Sequence, residues 1–188
     1  AIVIGGHLKH APGVFDFMSF SNTYEIYSAG AFSGAAPLPL VDGEDTNRAD
    51  LINVAVAARG GRQLCGSATT KDKIVLVGGR FGAVVDAAND SDFLYRSSII
   101  IYDMASNTWS TSGVGMPFTC TDVYCAALDK DNILIVGGEN FDIGYLPSAK
   151  SYIYNIPNDT LTPSADYPTV FRTWELYPGS GPVGLLPY

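Results

Sequence analysis

Three short apolar runs, rich in β-branched residues and each closed by two glycines, punctuate the chain: Ile2-Val3-Ile4-Gly5-Gly6, Ile74-Val75-Leu76-Val77-Gly78-Gly79 and Ile133-Leu134-Ile135-Val136-Gly137-Gly138. A continuous run of this length predicts a strand covered on both faces. The glycine pair lets the chain leave that strand at backbone angles other residues resist. Behind each run come a loop of variable length and a second, tyrosine-bearing strand: Thr23-Tyr24-Glu25-Ile26-Tyr27, Ser98-Ile99-Ile100-Ile101-Tyr102 and Ser151-Tyr152-Ile153-Tyr154. A polar turn and a weaker strand follow, clearest in Asp103 to Trp109 and in Asn155 to Leu161. The pattern is an internal repeat of strands, with no long helix-forming run between them.

The second and third glycine pairs lie 59 residues apart and the first and second 73 apart. A four-stranded unit of kelch type repeats at about 50 residues, so the repeat resembles a kelch β-propeller with loop insertions. It implies an all-β chain of about three four-stranded antiparallel blades, a partial propeller. Residues 1–61 would hold three strands of one blade plus an irregular insertion at 41–61, with the charged turn Asp42-Gly43-Glu44-Asp45. Residues 62–118 and 119–175 would be the second and third blades, and 176–188 the first strand of the next, with Leu176-Tyr177-Pro178 and Leu185-Leu186-Pro187-Tyr188. Trp109 is expected to fill space between blades. A β-sandwich with chance similarity among its strands is the competing architecture.

Composition supports strands and tight turns: 47% of the 188 residues are hydrophobic and 12% aromatic, with 11 tyrosines and 20 glycines. The net charge of −8 repels a nucleic-acid backbone or an anionic membrane surface, so neither is an expected partner. No run of eighteen apolar residues suggests a membrane span. The first residues read as the middle of a buried strand, so more chain is expected before them. Three cysteines, Cys65, Cys120 and Cys125, leave at least one thiol outside any internal disulfide. Cys120 and Cys125 would be roughly 16 Å apart in extended chain and could pair only if the chain folds back between them. The sequons at Asn89 and Asn158 make both candidates for glycosylation and favour an extracellular or secreted protein.

One constellation carries chemistry. Cys65 precedes Gly78 by thirteen residues and Tyr124 precedes Gly137 by thirteen. Equal counts place them at equivalent points of neighbouring first strands, side by side, with Cys125 turned to the opposite face. A thiol beside a phenol can form a thioether, and such a phenol serves one-electron chemistry when it also ligates copper. The order Leu64-Cys65-Gly66-Ser67, Tyr124, Leu176-Tyr177-Pro178 and Leu185-Leu186-Pro187 resembles the first half of the glyoxal oxidase and galactose oxidase propellers, over nearly the whole chain. The resemblance implies a Cys65–Tyr124 thioether, Tyr124 as copper ligand and radical site, and Phe141 as the aromatic covering the pair. Asp122-Val123 stands where that family has an arginine and an aromatic, and the family's copper histidines belong to a half of the propeller absent here. The bland alternative makes Cys65 a small core residue and Tyr124 a packed aromatic.

His7 and His10 form an H-x-x-H pair in the loop after the first glycines; a solvated loop is the simpler reading. The loop carboxylates Asp42, Glu44, Asp45, Asp86, Asp90, Asp92, Asp129 and Asp131 read as solvated surface. Neither a phosphate-cradling loop nor a G-x-S-x-G turn occurs. The sequence therefore points first to an extracellular, non-catalytic structural or interaction module, part of a larger β-propeller, with no cofactor. Its open faces would be covered by the missing remainder of the propeller or by another protein chain. The alternative is the N-terminal part of a copper-radical oxidase acting on aldehydes or primary alcohols.

Overall fold

The computed structural model describes residues 2–4, 23–28, 31–41, 43–44, 61–82, 93–144, 146–166, 174–175 and 183–184. Apart from one 3-10 turn, every regular element among them is a strand. β1 (Ile2–Ile4), β2 (Thr23–Ser28) and β3 (Ala31–Pro37) form a three-stranded antiparallel sheet. β4 (Gly66–Thr69), β5 (Lys73–Val77), β6 (Arg80–Gly82), β7 (Phe93–Asp103) and β8 (Thr108–Thr121) follow, then β9 (Tyr124–Ala127) and β10 (Asn132–Val136). β11 (Glu139–Asn140) leads through the 3-10 turn Phe141–Ile143 to β12 (Leu146–Pro147). β13 (Ser151–Asn155), β14 (Thr160–Pro163), β15 (Trp174–Glu175) and β16 (Val183–Gly184) complete the order.

Two principal sheets result. One has seven strands in the order β12-β11-β8-β7-β5-β4, with β6 paired to β7; the other has four, β14-β13-β10-β9. β15 and β16 pair only with each other. Both principal sheets are open, and no ring closes among the described residues. The expectation of a kelch-type propeller is thereby corrected to an all-β chain of open antiparallel sheets. The physical reason lies in what a glycine-pair repeat encodes. It specifies a local meander, each strand paired with the next, and says nothing of how one sheet turns onto another. β8 shows the consequence: it pairs β7 from Asp103↔Thr108 to Arg96↔Cys120, and its last two residues also pair β11 at Asn140↔Cys120 and Glu139↔Thr121. One long strand thus ties β11, which follows the third glycine pair, into the sheet of β4, β5 and β7.

The repeat itself is visible in local detail. β4-β5-β7-β8 and β9-β10-β13-β14 are the same meander, and the glycines after β5 and β10 all take left-handed angles, φ 61 and 96 at Gly78 and Gly79 and φ 69 and 87 at Gly137 and Gly138. In each meander a buried tyrosine donates its hydroxyl to the left-handed residue of the following turn. Tyr102 Oη bonds Asn107 Oδ1 at 2.5 Å, and Tyr154 Oη bonds Asp159 Oδ1 at 2.8 Å. Asn and Asp tolerate this region better than other non-glycine residues, and their φ values are 57 and 51.

The core lies between the two meanders. Val75, Val77 and Ile99 meet Ile133, Ile135 and Tyr154, joined by Met116, Phe118 and Cys120. A second cluster covers the other face of β5 and β7: Ile74, Leu76, Ile100 and Tyr102 pack with Leu38 and Val41. Beside Gly78 and Gly79 lies a buried ionic knot. Glu44 accepts the N–H groups of Ser97 and Ser98 at 2.9 and 3.0 Å and both serine hydroxyls. Arg62 Nη1 donates to Gly78 O at 2.8 Å, and Arg96 Nη1 lies 3.6 Å from Glu44 Oε2. Burial pushes the Glu44 carboxyl up, but the Ser98 hydroxyl, the Ser97 N–H and the two guanidiniums outweigh it and hold the carboxyl below its ordinary value.

Candidate functional site at the strand ends

Where the meanders meet, the equal count from Cys65 and Tyr124 is undone by one turn. β4 and β5 are joined by a two-residue turn, since Thr70 N donates to Lys73 O, leaving Lys71-Asp72. β9 and β10 are joined by a three-residue turn, since Leu128 N donates to Asn132 O. Asp129 organises that longer turn, accepting from Asp131 N and Asn132 N at 2.7 and 2.8 Å. One extra residue shifts the register by one and reverses which side chain faces which way. Gly66 pairs with Val77, whereas Tyr124 pairs with Val136, so Gly66 and Tyr124 are the counterparts and Cys65 corresponds to Val123. Close approaches agree: a Cβ at Gly79 would meet Cys65 and Gln63 O, and a Cβ at Gly138 would meet Val123 and Thr121 O.

The structure therefore does not bring Cys65 and Tyr124 together as counterparts. Cys65 packs against the Leu76–Ile100–Tyr102 cluster. Tyr124 is 71% exposed, on the side of β9 turned away from β4. Cys125 instead faces β4, its Sγ 2.6 Å from where a Cβ on Gly66 would stand. Phe141 stacks on Tyr95 at an interplanar angle of 16°. All three cysteines are free thiols. Burial raises each; for Cys125 the neighbouring Cys65 adds to it, and both Cys120 and Cys125 reach about 12, which keeps them protonated and poor nucleophiles. Asn158 is exposed in the turn between β13 and β14; Asn89, His7, His10, Asp42, Asp45, Asp86, Asp90, Asp92 and the segments 176–182 and 185–188 lie outside the described residues.

Among the described residues no group of three or more His, Cys, Asp or Glu side chains could hold a metal ion. Copper bound through Tyr124 does not fit this donor set, because among the described residues an exposed phenol stands without an imidazole partner, which makes no copper centre. The copper-radical oxidase and its glyoxal oxidase-like chemistry are corrected on this ground. The propeller module is corrected with the fold, as are the partners proposed to complete it, since nothing described marks the place of a missing blade. No helix among the described residues is long and apolar enough to cross a membrane.

What the fold does assemble is a cluster at the strand ends. Leu64 and Asp122, counterparts in the two meanders, are both held left-handed, φ 55 and 54, and are tied by Asp122 N donating to Leu64 O at 2.9 Å. Such angles are uncommon for non-glycine residues and cluster where a protein positions groups for a task. Leu64 is 40% exposed and Asp122 is exposed. Immediately after the second and third glycine pairs stand Arg80 and Glu139, also counterparts, bridged to Gln63 and Thr121 respectively. Burial raises the Glu139 carboxyl above its ordinary value, the Asp122 carboxylate raises it further, and Arg80 opposes both. The loop beyond Glu139 is fastened to β8 by Asp142, which accepts Thr119 N at 3.3 Å and Thr119 Oγ1 at 2.6 Å.

Sequence reasoning missed this cluster. Arg80 and Glu139 were within reach, each directly after a glycine pair with no turn intervening. Leu64 and Asp122 were hidden behind turns of unequal length. No protein-family model matches the chain, and no curated protein matches it.

Proposed function

We propose that the chain is a ligand-binding β domain whose strand-end cluster takes a primary ammonium group on an alkyl body. The carrying observation is the placement of Asp122 and Glu139: Glu139 pairs across from Thr121, the chain neighbour of Asp122, so two carboxylates stand at one strand end. The Asp122 charge adds to burial in raising the Glu139 carboxyl, while Arg80 opposes it. A cation seated between the two carboxylates relieves the repulsion, and the exposed Leu64 side chain offers apolar contact to the attached carbons. The net charge of −8 steers such a ligand inward. The left-handed backbone at Leu64 and Asp122 fixes both positions before binding, so little ordering is lost on association. Exposure of Asn158 in its turn supports an extracellular location, where glycosylation is available.

The test is calorimetric titration of the full chain with butylammonium and with tetramethylammonium, at low salt and at several pH values. Butylammonium should bind more tightly, more tightly still as pH rises through the raised Glu139 value, and with proton release while Glu139 is partly protonated. Asp122→Asn should weaken binding about tenfold. Equal, weak response to both ions, or an unchanged Asp122→Asn variant, would sink the reading.

A further inference from the structure

The two meanders differ in what covers them. Val75 and Val77 project from the first meander toward the second and are 0% exposed, covered by Ile133, Ile135 and Tyr154. Their counterparts in the second meander are Leu134 and Val136, which precede Gly137 by the same steps. Leu134 and Val136 are only half-buried, and cross-strand pairing sets them beside Ala126 and Tyr124 of β9, with Ile153 of β13 next to Leu134. Leu128 continues the stripe and is 53% exposed. One face of the four-stranded sheet is therefore apolar and lightly covered, while its opposite face forms the core.

We propose that the hairpin made by β15 and β16 docks on this face, occupying for the second meander the place the second meander occupies for the first. Three observations name the occupant. The element following the first meander in the chain is what covers its Val75–Val77 face, and the β15–β16 hairpin is the element following the second. The chain is still fastened to the right end of the sheet when it leaves: Ser164 N donates to Ser151 O at 2.8 Å, the Ser151 hydroxyl donates to Ala165 O, and Ser151 lies across from Val136, which pairs on its other side with Tyr124. Reach is sufficient, since the seven residues 167–173 span up to ~23 Å of extended chain and crossing four strands takes ~14 Å. Trp174, Val183 and the neighbouring Leu176, Tyr177, Leu185, Leu186 and Tyr188 supply an apolar partner with few charges. The inference is independent of the ammonium site, which lies at the strand ends.

The test uses the full chain with methyl-labelled Leu, Val and Ile. Cross-peaks are expected from Leu134, Val136 and Ile153 methyls to the Trp174 or Tyr177 ring, at intensities that do not change with dilution. A second readout uses Trp109→Phe, which leaves Trp174 as the single tryptophan. In that background Ile153→Asp should shift Trp174 emission to the red while β10 amides stay protected from exchange. Methyls that contact only solvent, cross-peaks that vanish on dilution because a second copy supplies them, or Trp174 emission indifferent to Ile153→Asp would each overturn the proposal.

Discussion

The apolar runs Ile74–Val77 and Ile133–Val136 look alike in sequence and live differently in the fold. In β5 all four apolar residues are buried; in β10 burial alternates, with Ile133 and Ile135 inside and Leu134 and Val136 half out. The first run is sandwiched between the second meander on one face and Leu38 with Val41 on the other. The second has the core on one face and, among the described residues, no comparably packed layer on the other. A continuous apolar run thus states that a strand can be covered twice, while the neighbours in the chain decide whether it is. The lightly covered face and the strand-end cluster both sit where the second meander departs from the first.

The sharpest way to break this comparison is to place a charge at corresponding positions. Val75→Asp puts an unpaired carboxylate at a fully buried site and should cost more than about 4 kcal/mol, enough to abolish folding in a marginally stable domain. Leu134→Asp should cost about 1–3 kcal/mol, because a two-stranded hairpin is the lighter cover. Urea unfolding of both variants checks the difference, and equal losses would show that the two faces are equally covered.

A second pair probes the register. At Gly66 an added Cβ would lie 2.6 Å from Cys125 Sγ and from Val123 Cγ2 and 2.8 Å from Val123 O. Gly66→Ala should therefore destabilise by about 1–3 kcal/mol through overpacking against backbone. Its counterpart Tyr124 is 71% exposed, and Tyr124→Ala should cost under about 1 kcal/mol. The reverse order, measured by the same unfolding curves, would restore the equal-count alignment of Cys65 with Tyr124.

Smaller effects separate two carboxylates by pH. Glu44 has a lowered value in the folded state, so its contribution is full above the ordinary 4.5 and is lost as pH falls through the lowered value. Glu139 has a raised value, so it acts in the opposite sense: it favours the folded state while protonated, and that advantage disappears as pH rises from 4.5 through the raised value. Glu44→Gln should flatten the acid-side loss of stability, and Asp122→Asn should shrink the Glu139 effect. Unfolding midpoints followed from acid to neutral pH test both, and a Glu44→Gln profile identical to the parent would remove the ionic knot from the account.

Much of the strand order was legible because hairpin meanders are written locally. The glycine pairs, the tyrosines at 102 and 154 and the left-handed turn residues Asn107 and Asp159 recur at spacings a reader can count. Closure of a ring is written nowhere in such spacing. The alignment of Cys65 with Tyr124 was lost to a single residue in the Asp129 turn, since counting backward through a turn assumes its length. Glu44, read as solvated surface, is instead held by two serines and two arginines from far along the chain. Contacts across such a distance leave no mark on local pattern.

The register between the meanders is the claim on which the rest depends, and side-chain cross-peaks between β4 and β9 test it most directly. The account predicts nuclear Overhauser contacts from the Gly66 α-protons to the Cys125 β-protons and a Val123 methyl, with the Asp122 amide slow to exchange because it donates to Leu64. Contacts from the Cys65 β-protons to the Tyr124 ring, with Cys125 turned away from Gly66, would contradict it.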